Sequence, residues 1–218
     1  MKVAVVFDVN ETLLDLSGLD PFFERTFGDT AARREWFAQL LHTAMVTTVT
    51  GRYETFGQLG AACLRAMGEH HGCAVDPEEL SDALMHLAPH PEVAAALRLL
   101  NDAGFRLGAL TQSTLHVVWA QLENAGVVAE FEQILSADEV RRLKPAPEPY
   151  RHAAQRLGVG VADMVMVAAH GWDVAGAQAA GARGAFVARA GHYPLPAAPI
   201  PDLVGADLES VARALANG

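Results

Sequence analysis

Asp8 closes the apolar run VAVVF, and Thr12 stands four residues further on in FDVNETLLDL. A carboxylate placed where a β-branched stretch runs out can serve as a nucleophile, or it can cap a following helix. Three more polar signals fall at comparable places: Thr111 and Ser113 in ALTQST, Lys144 in RRLKPAPEPY, and Asp173 after VMVAAHGW. Each alone has an ordinary reading, since a Lys before Pro is often a solvated loop residue and Thr111 could cap a helix. Together they converge on one pocket if each ends a strand of the same parallel sheet. A carboxylate nucleophile attacks a carbon bearing halide, or phosphorus, to give an ester that water hydrolyses. Lys144 would keep Asp8 ionised and stabilise negative charge as the ester breaks down.

The elements that must position these groups are legible in the hydrophobic pattern. Val3 to Phe7 has the length and β-branching of a strand buried on both faces, and Phe105 to Leu110, Gln133 to Ser136, Met164 to Ala168 and Gly184 to Val187 look alike. Helical stretches lie between them at 91–103, 115–125, 148–157 and 174–180, with Gly104, Gly126, Gly158 and Gly181 as their stops. Alternation of this kind predicts an α/β fold with right-handed βαβ units and a parallel, doubly wound sheet. From about Asp20 to Leu87 no strand-like run occurs. In EWFAQLLHTAM, Trp36, Phe37, Leu40, Leu41, Ala44 and Met45 recur at helical spacing and form an apolar face. A helical insert therefore follows the first strand, over the strand ends where open α/β sheets bind ligands.

Composition narrows the function. The 218 residues are 51% hydrophobic and 19% charged, which suits a soluble globule. The net charge of −10 and the pI near 5.3 argue against nucleic acid and anionic membrane as partners. No apolar run approaches the ~20 residues of a membrane span. Cys63 and Cys73 lie in no metal-binding or disulfide spacing and read as packing residues in a reducing cytoplasm, and the N-terminus reads as a strand rather than a signal peptide. The neighbouring His70 and His71 do not share a helical face and make no two-His metal site. HYPLPAAPIP, from His192 to Pro201, reads as an extended connection to a closing helix, or alternatively as a contact with a second copy of the chain.

The order DxxxT, strand-end Thr, Lys-Pro, then Asp resembles the haloacid dehalogenase superfamily. FDVNETLLDL, GRYETF, KPAPEPY and WDVAGAQAAG are similar to its L-2-haloacid dehalogenase (type II) branch, and the resemblance spans essentially the whole chain. It implies a Rossmann-like core, residues 1–14 and 91–218, with helices on both faces and an α-helical cap over 15–90. It implies Asp8 as nucleophile, Thr12 and Thr111 as groups that orient it or bind the substrate carboxylate, and Lys144 as its charge partner. Asp173 would position Lys144 and the hydrolytic water. Asn10, Phe56, Gln112, Tyr150, His170 and Trp172 are expected on the substrate side, with a small anionic substrate and no cofactor or metal.

Asn10 is the discriminating residue. Phosphatases of the superfamily generally carry a second Asp there, to protonate the alkoxide and later to activate water. An amide does neither, and a departing halide needs no proton. The dehalogenase pattern differs in three places: an aromatic or similar residue where Asn10 stands, a halide-cradling Arg near Trp36 or Phe37, and a Ser-Asn pair at Ala169 and His170. Arg33 or Arg34, a turn earlier, and His170 are the candidate replacements. The readings left open are a Mg²⁺-dependent phosphatase acting on a small phosphate ester and a protein that keeps the fold only to bind.

Overall fold

A computed structural model describes residues 3–218; Met1 and Lys2, at the start of the expected core, lie outside the described residues. Six short strands form one wholly parallel sheet: β1 Ala4–Phe7, β2 Arg106–Thr111, β3 Gln133–Ser136, β4 Met164–Ala168, β5 Arg183–Val187 and β6 Leu203–Gly205. Their order is β3-β2-β1-β4-β5-β6. Strand order reverses beside β1, which pairs with β2 through Ala4↔Arg106 and with β4 through Ala4↔Met164. Neighbouring connections run to opposite sides there, so a crevice opens at the carboxyl ends of β1 and β4.

The strands are continuous apolar runs because both sheet faces are covered, and successive side chains alternate between them. Val5, Phe7, Leu107, Ala109, Val165 and Val167 share a core with Val93, Leu97 and Leu100 of α5 (Val93–Asp102), Val118 and Leu122 of α6 (Leu115–Asn124) and Val211 of α9 (Leu208–Asn217). Ala4, Val6, Leu110, Met164 and Met166 face the other way. They pack on Tyr150, Ala153 and Leu157 beside α7 (Pro147–Arg156) and on Ala177 of α8 (Gly171–Ala179).

Four helices occupy the segment between β1 and α5: α1 Asp20–Phe27, α2 Ala31–Val49, α3 Phe56–His71 and α4 Pro77–Met85. Local chemistry fixes their ends. Thr55 and Gln58 form a reciprocal capping box at the start of α3, Asp76 accepts from the first N–H groups of α4, and Gly28 and Gly72 stop α1 and α3 with positive φ. The expected stripe of α2 is buried at Trp36, Leu40 and Ala44, while Phe37 and Leu41 are half-buried against the same core. The Trp36 indole N–H donates to Gly60 O of α3 at 3.0 Å. The chain leaves and re-enters the sheet region side by side, since Asp15 N donates to Ala88 O (2.9 Å) and His90 N to Leu13 O (2.9 Å).

Two details differ from the sequence reading. The stretch after the Pro-rich segment is a sixth strand as well as a connection: Leu203–Gly205 pairs with β5 at the sheet edge, too short and too exposed to show a buried-strand pattern. Helix α8 begins at Gly171 rather than 174, which puts Asp173 in its first turn instead of at a strand end. Among the described residues no helix is long and apolar enough to cross a membrane.

Candidate active site

The strand ends bring four distant segments together. Asp8 follows β1, and its backbone N donates to Val167 O of β4 (3.0 Å), which extends the ladder by one residue. Its Oδ1 accepts from Lys144 Nζ at 2.8 Å, and its Oδ2 accepts from Thr12 Oγ1 at 2.9 Å. Thr12 is itself held by Ala169 N (2.9 Å), so the hydroxyl proton is directed at Asp8.

Lys144 is fully buried. Its ammonium uses three acceptors: Asp8 Oδ1, Asp173 Oδ2 (2.6 Å) and Leu110 O (3.0 Å). The Gln112 side chain grips the Lys144 backbone from both sides, accepting from its N–H (2.9 Å) and donating to its carbonyl (3.0 Å). Tyr150 donates to Asp173 Oδ1 at 2.6 Å and is completely buried. Both are thus occupied in bracing Lys144 and Asp173 rather than facing a ligand. Thr111, at the end of β2, accepts from Ser113 N (3.1 Å) and makes no hydrogen bond to Asp8 among the described residues.

Burial alone would raise the Asp8 pKa. The Lys144 charge and the hydrogen bond from His170 reverse this and hold the carboxyl well below the usual range. Asp173 is pushed up, by burial first and then by repulsion from Asp8, against the pull of Lys144. Burial works against the Lys144 charge, but the two carboxylates outweigh it and the pKa rises. The charged forms of both Asp8 and Lys144 are therefore favoured.

Beside Asp8 stands His170. Its Nδ1 lies 3.1 Å from Asp8 Oδ2 and its Nε2 2.8 Å from Glu11 Oε2. Phe37 and Trp172 flank the ring, with centroids at 5.6 and 5.3 Å, and His192 meets it edge-on at 5.1 Å. Burial opposes a charged imidazole, yet its bonds to Asp8 and Glu11 raise the pKa to about 9. Glu11, which burial would raise, falls to about 2 through His170 and His192. Arg33 of α2, buried, pairs with Glu11 and Asp20. Of the two guanidiniums expected as replacement halide cradles, that of Arg33 is thus spent on Glu11 and Asp20.

Glu11, His192 and Gln121 were not singled out from sequence. Gln121 had a visible signal, a polar residue at a core position of α6 beside Val118 and Leu122. Its Nε2 donates to Leu84 O (2.9 Å) and to Asn10 Oδ1 (3.1 Å). Because a carbonyl can only accept, the Leu84 contact fixes the Gln121 amide, which in turn fixes Asn10 with its NH₂ turned away from Gln121. Asn10, Phe56, Trp36, Phe37, Ser113 and Gln121 border an apolar cavity of about 100 Å³ between the helices and the sheet. A larger cleft of about 820 Å³ is lined by His170, Trp172, Phe37, Arg34 and His192 among others.

A divalent cation fits poorly between the acids. The two carboxylates point at one another across the Lys144 ammonium, and each of their four oxygens already holds a donor. Glu11, His170 and His192 offer donor atoms all within 4.8 Å of one another. Arg33 and a protonated His170 already supply the positive charge that Glu11 requires. We read the group as an ion-pair cluster.

Close packing maintains the braces. A Cβ on Gly176 of α8 would lie 2.5 Å from Pro145 Cβ and 2.7 Å from the Tyr150 hydroxyl. Gly176→Ala is expected to push Tyr150 off Asp173, costing about 1–3 kcal/mol by overpacking and lowering turnover. Thermal unfolding checks this, and an unchanged midpoint would refute it.

A buried Asp beside Thr, a buried Lys shared with a second Asp, and a helical segment inserted after the first strand of a Rossmann-like sheet point to one class of hydrolases. The chain belongs to the haloacid dehalogenase-like hydrolases, whose sequence profile matches residues 3–181. It is 30% identical to an (S)-2-haloacid dehalogenase of Pseudomonas putida over 79% of this chain and 78% of that one, and 30% identical to one of Xanthobacter autotrophicus over 87% and 76%. The solved structure of the L-2-haloacid dehalogenase from Xanthobacter autotrophicus with chloropropionic acid covalently bound superposes with a TM-score of 0.91, at 26% identity and 99% and 98% coverage. A phosphatase from Thermococcus onnurineus shares the fold at TM-score 0.69 and 23% identity, over 99% and 98% of the two chains.

Proposed function

We propose that the protein hydrolyses the carbon–halogen bond of a small 2-haloalkanoic acid through an ester on Asp8. The observation that carries this is an ionised Asp8, held by Lys144 and Thr12, with an amide rather than an acid at Asn10. In the first half-reaction an Asp8 oxygen attacks the carbon bearing halide and the halide leaves as an anion. Oδ2, beside His170 of the cleft lining, is the attacking oxygen in this reading, and Lys144 remains on Oδ1. In the second half-reaction water attacks the Asp8 carbonyl carbon, Lys144 stabilises the charge on Oδ1, and the hydroxy acid departs.

Leaving-group stabilisation falls to the cationic lining of the large cleft in this proposal. Arg33 is paired with Glu11 and Asp20, His170 gives both ring nitrogens to Asp8 and Glu11, and Arg34 of α2 lines the same cleft. Thr111, Phe56, Asn10 and Trp172 are proposed to shape the substrate side, Gln112 and Tyr150 to brace it, and residues 15–90 to act as a cap over a core of 1–14 and 91–218. The relatives at 30% identity support the substrate class, and the covalently bound chloropropionic acid of the Xanthobacter structure supports the ester. Halide release from chloroacetate and from both enantiomers of 2-chloropropionate is expected in the presence of EDTA. Phosphate release from a generic phosphate ester, only with Mg²⁺, would overturn the reading in favour of a phosphatase.

A further inference from the structure

The hydrolytic half-reaction needs a base that reaches water, and Asp173 is walled off from that task. It is fully buried, with one oxygen on Lys144 and the other on Tyr150. Asn10 is an amide. We propose that His170, backed by Glu11, is the acid–base catalyst that hydrolyses the Asp8 ester, an inference that rests on the dehalogenase reading above.

The geometry is a linear chain: Asp8 Oδ2, His170 Nδ1 at 3.1 Å, His170 Nε2, and Glu11 Oε2 at 2.8 Å. A carboxylate on one ring nitrogen fixes the tautomer and leaves the other nitrogen aimed at the reacting group. Glu11 is held for this. Its backbone adopts φ 63°, a left-handed conformation that a non-glycine residue rarely takes, and its carboxylate is gripped by Arg33 and His192 as well as His170. The groups facing the His170 ring are Asp8, Glu11, His192, Phe37 and Trp172, so its two anionic neighbours are the nucleophile and the acid behind it. The ring also lines the large cleft, through which water enters.

Alkylation itself prepares the base. While Asp8 is a carboxylate, both ring nitrogens of His170 face an anion and the imidazole is charged. Attack of Oδ2 on the substrate carbon breaks the carbon–halogen bond, the halide leaves, and Asp8 becomes a neutral ester. The Nδ1 proton then has no anionic acceptor and passes to solvent. Neutral Nδ1 next takes a proton from water as that oxygen bonds to the Asp8 carbonyl carbon. The tetrahedral intermediate expels the alkoxide, which receives the Nδ1 proton and leaves as the 2-hydroxy acid. Asp8, now a carboxylic acid, returns its proton to Nδ1. The sum is haloacid plus water giving hydroxy acid, halide and one proton.

The test is rapid mixing of wild-type, His170→Asn and Glu11→Gln proteins with 2-chloropropionate, followed by halide release and the mass of the peptide carrying Asp8. His170→Asn is expected to release about one halide per chain and then stall. The adduct should accumulate on Asp8, with hydroxy acid formed ~10²–10⁴-fold more slowly. Glu11→Gln should show the same split to a smaller degree, so the proposal stays testable if one variant folds poorly. In the wild type, the ester-hydrolysis rate should rise with pH through one deprotonation, a limb that His170→Asn lacks. Steady turnover of His170→Asn with no adduct above the wild-type level, or loss of its halide burst, would overturn the proposal while wild-type halide release still supported the dehalogenase reading. A wild-type protein that neither releases halide nor acquires an adduct would remove both.

Discussion

Asp8→Asn is expected to abolish halide release, with a loss on the order of 10⁴-fold or more, as when the nucleophile of a covalent hydrolase is removed. The amide is nearly isosteric: its carbonyl oxygen can still accept from Lys144 Nζ while its NH₂ donates to the Thr12 hydroxyl, so the loss would report chemistry rather than collapse. Lys144 would keep Asp173 as an anionic partner at 2.6 Å, which limits the damage to stability. The measurement pairs a halide assay with the intact mass of the peptide spanning residue 8, because slow hydrolysis of the new amide would regenerate Asp. An active protein whose residue 8 is still Asn would sink the covalent mechanism.

Lys144→Met is expected to destabilise the fold by about 3–5 kcal/mol at neutral pH, the usual cost of removing one partner from a buried ion pair. For a chain of this length that corresponds to a midpoint lower by roughly 10 °C. The pH dependence should also steepen. In the wild type, Asp8 is depressed below its unfolded value of 3.8, so its contribution is complete above that pH and is lost as acid protonates it. Without the ammonium, burial dominates, so the folded pKa of Asp8 rises above its unfolded value and that of Asp173, already raised, climbs further. The variant should then gain more stability than the wild type as pH is lowered from 8 toward 5, since His170, raised to about 9, gives the wild type a gain there and the carboxyls left without the ammonium add to it in the variant. Thermal unfolding at several pH values reads both effects, and a variant as stable as the wild type at pH 7 would contradict the charge balance drawn here.

Much of this arrangement was already determined by the linear chain. A strand buried on both faces must be apolar throughout, so the five longer strands, their glycine-stopped helices and the parallel sheet could be read from residue order. A carboxylate, Thr, Lys and Asp at four element ends could then be assigned to one crevice, because a doubly wound sheet gathers those ends. β6 escaped because a three-residue edge strand carries no periodic signature. The partners of each side chain were decided only by tertiary structure. Gln112 and Tyr150 are polar residues next to reactive ones, and sequence spacing could not say that one grips the Lys144 backbone and the other holds Asp173. Arg33, Arg34 and His170 were visible as candidate cations, but which of them would be paired depended on Glu11. That residue draws in Arg33 from 22 positions away and His170 from 159. Local periodicity specifies which residues face a core; electrostatic pairing across such separations depends on where the folded elements finally place each charge.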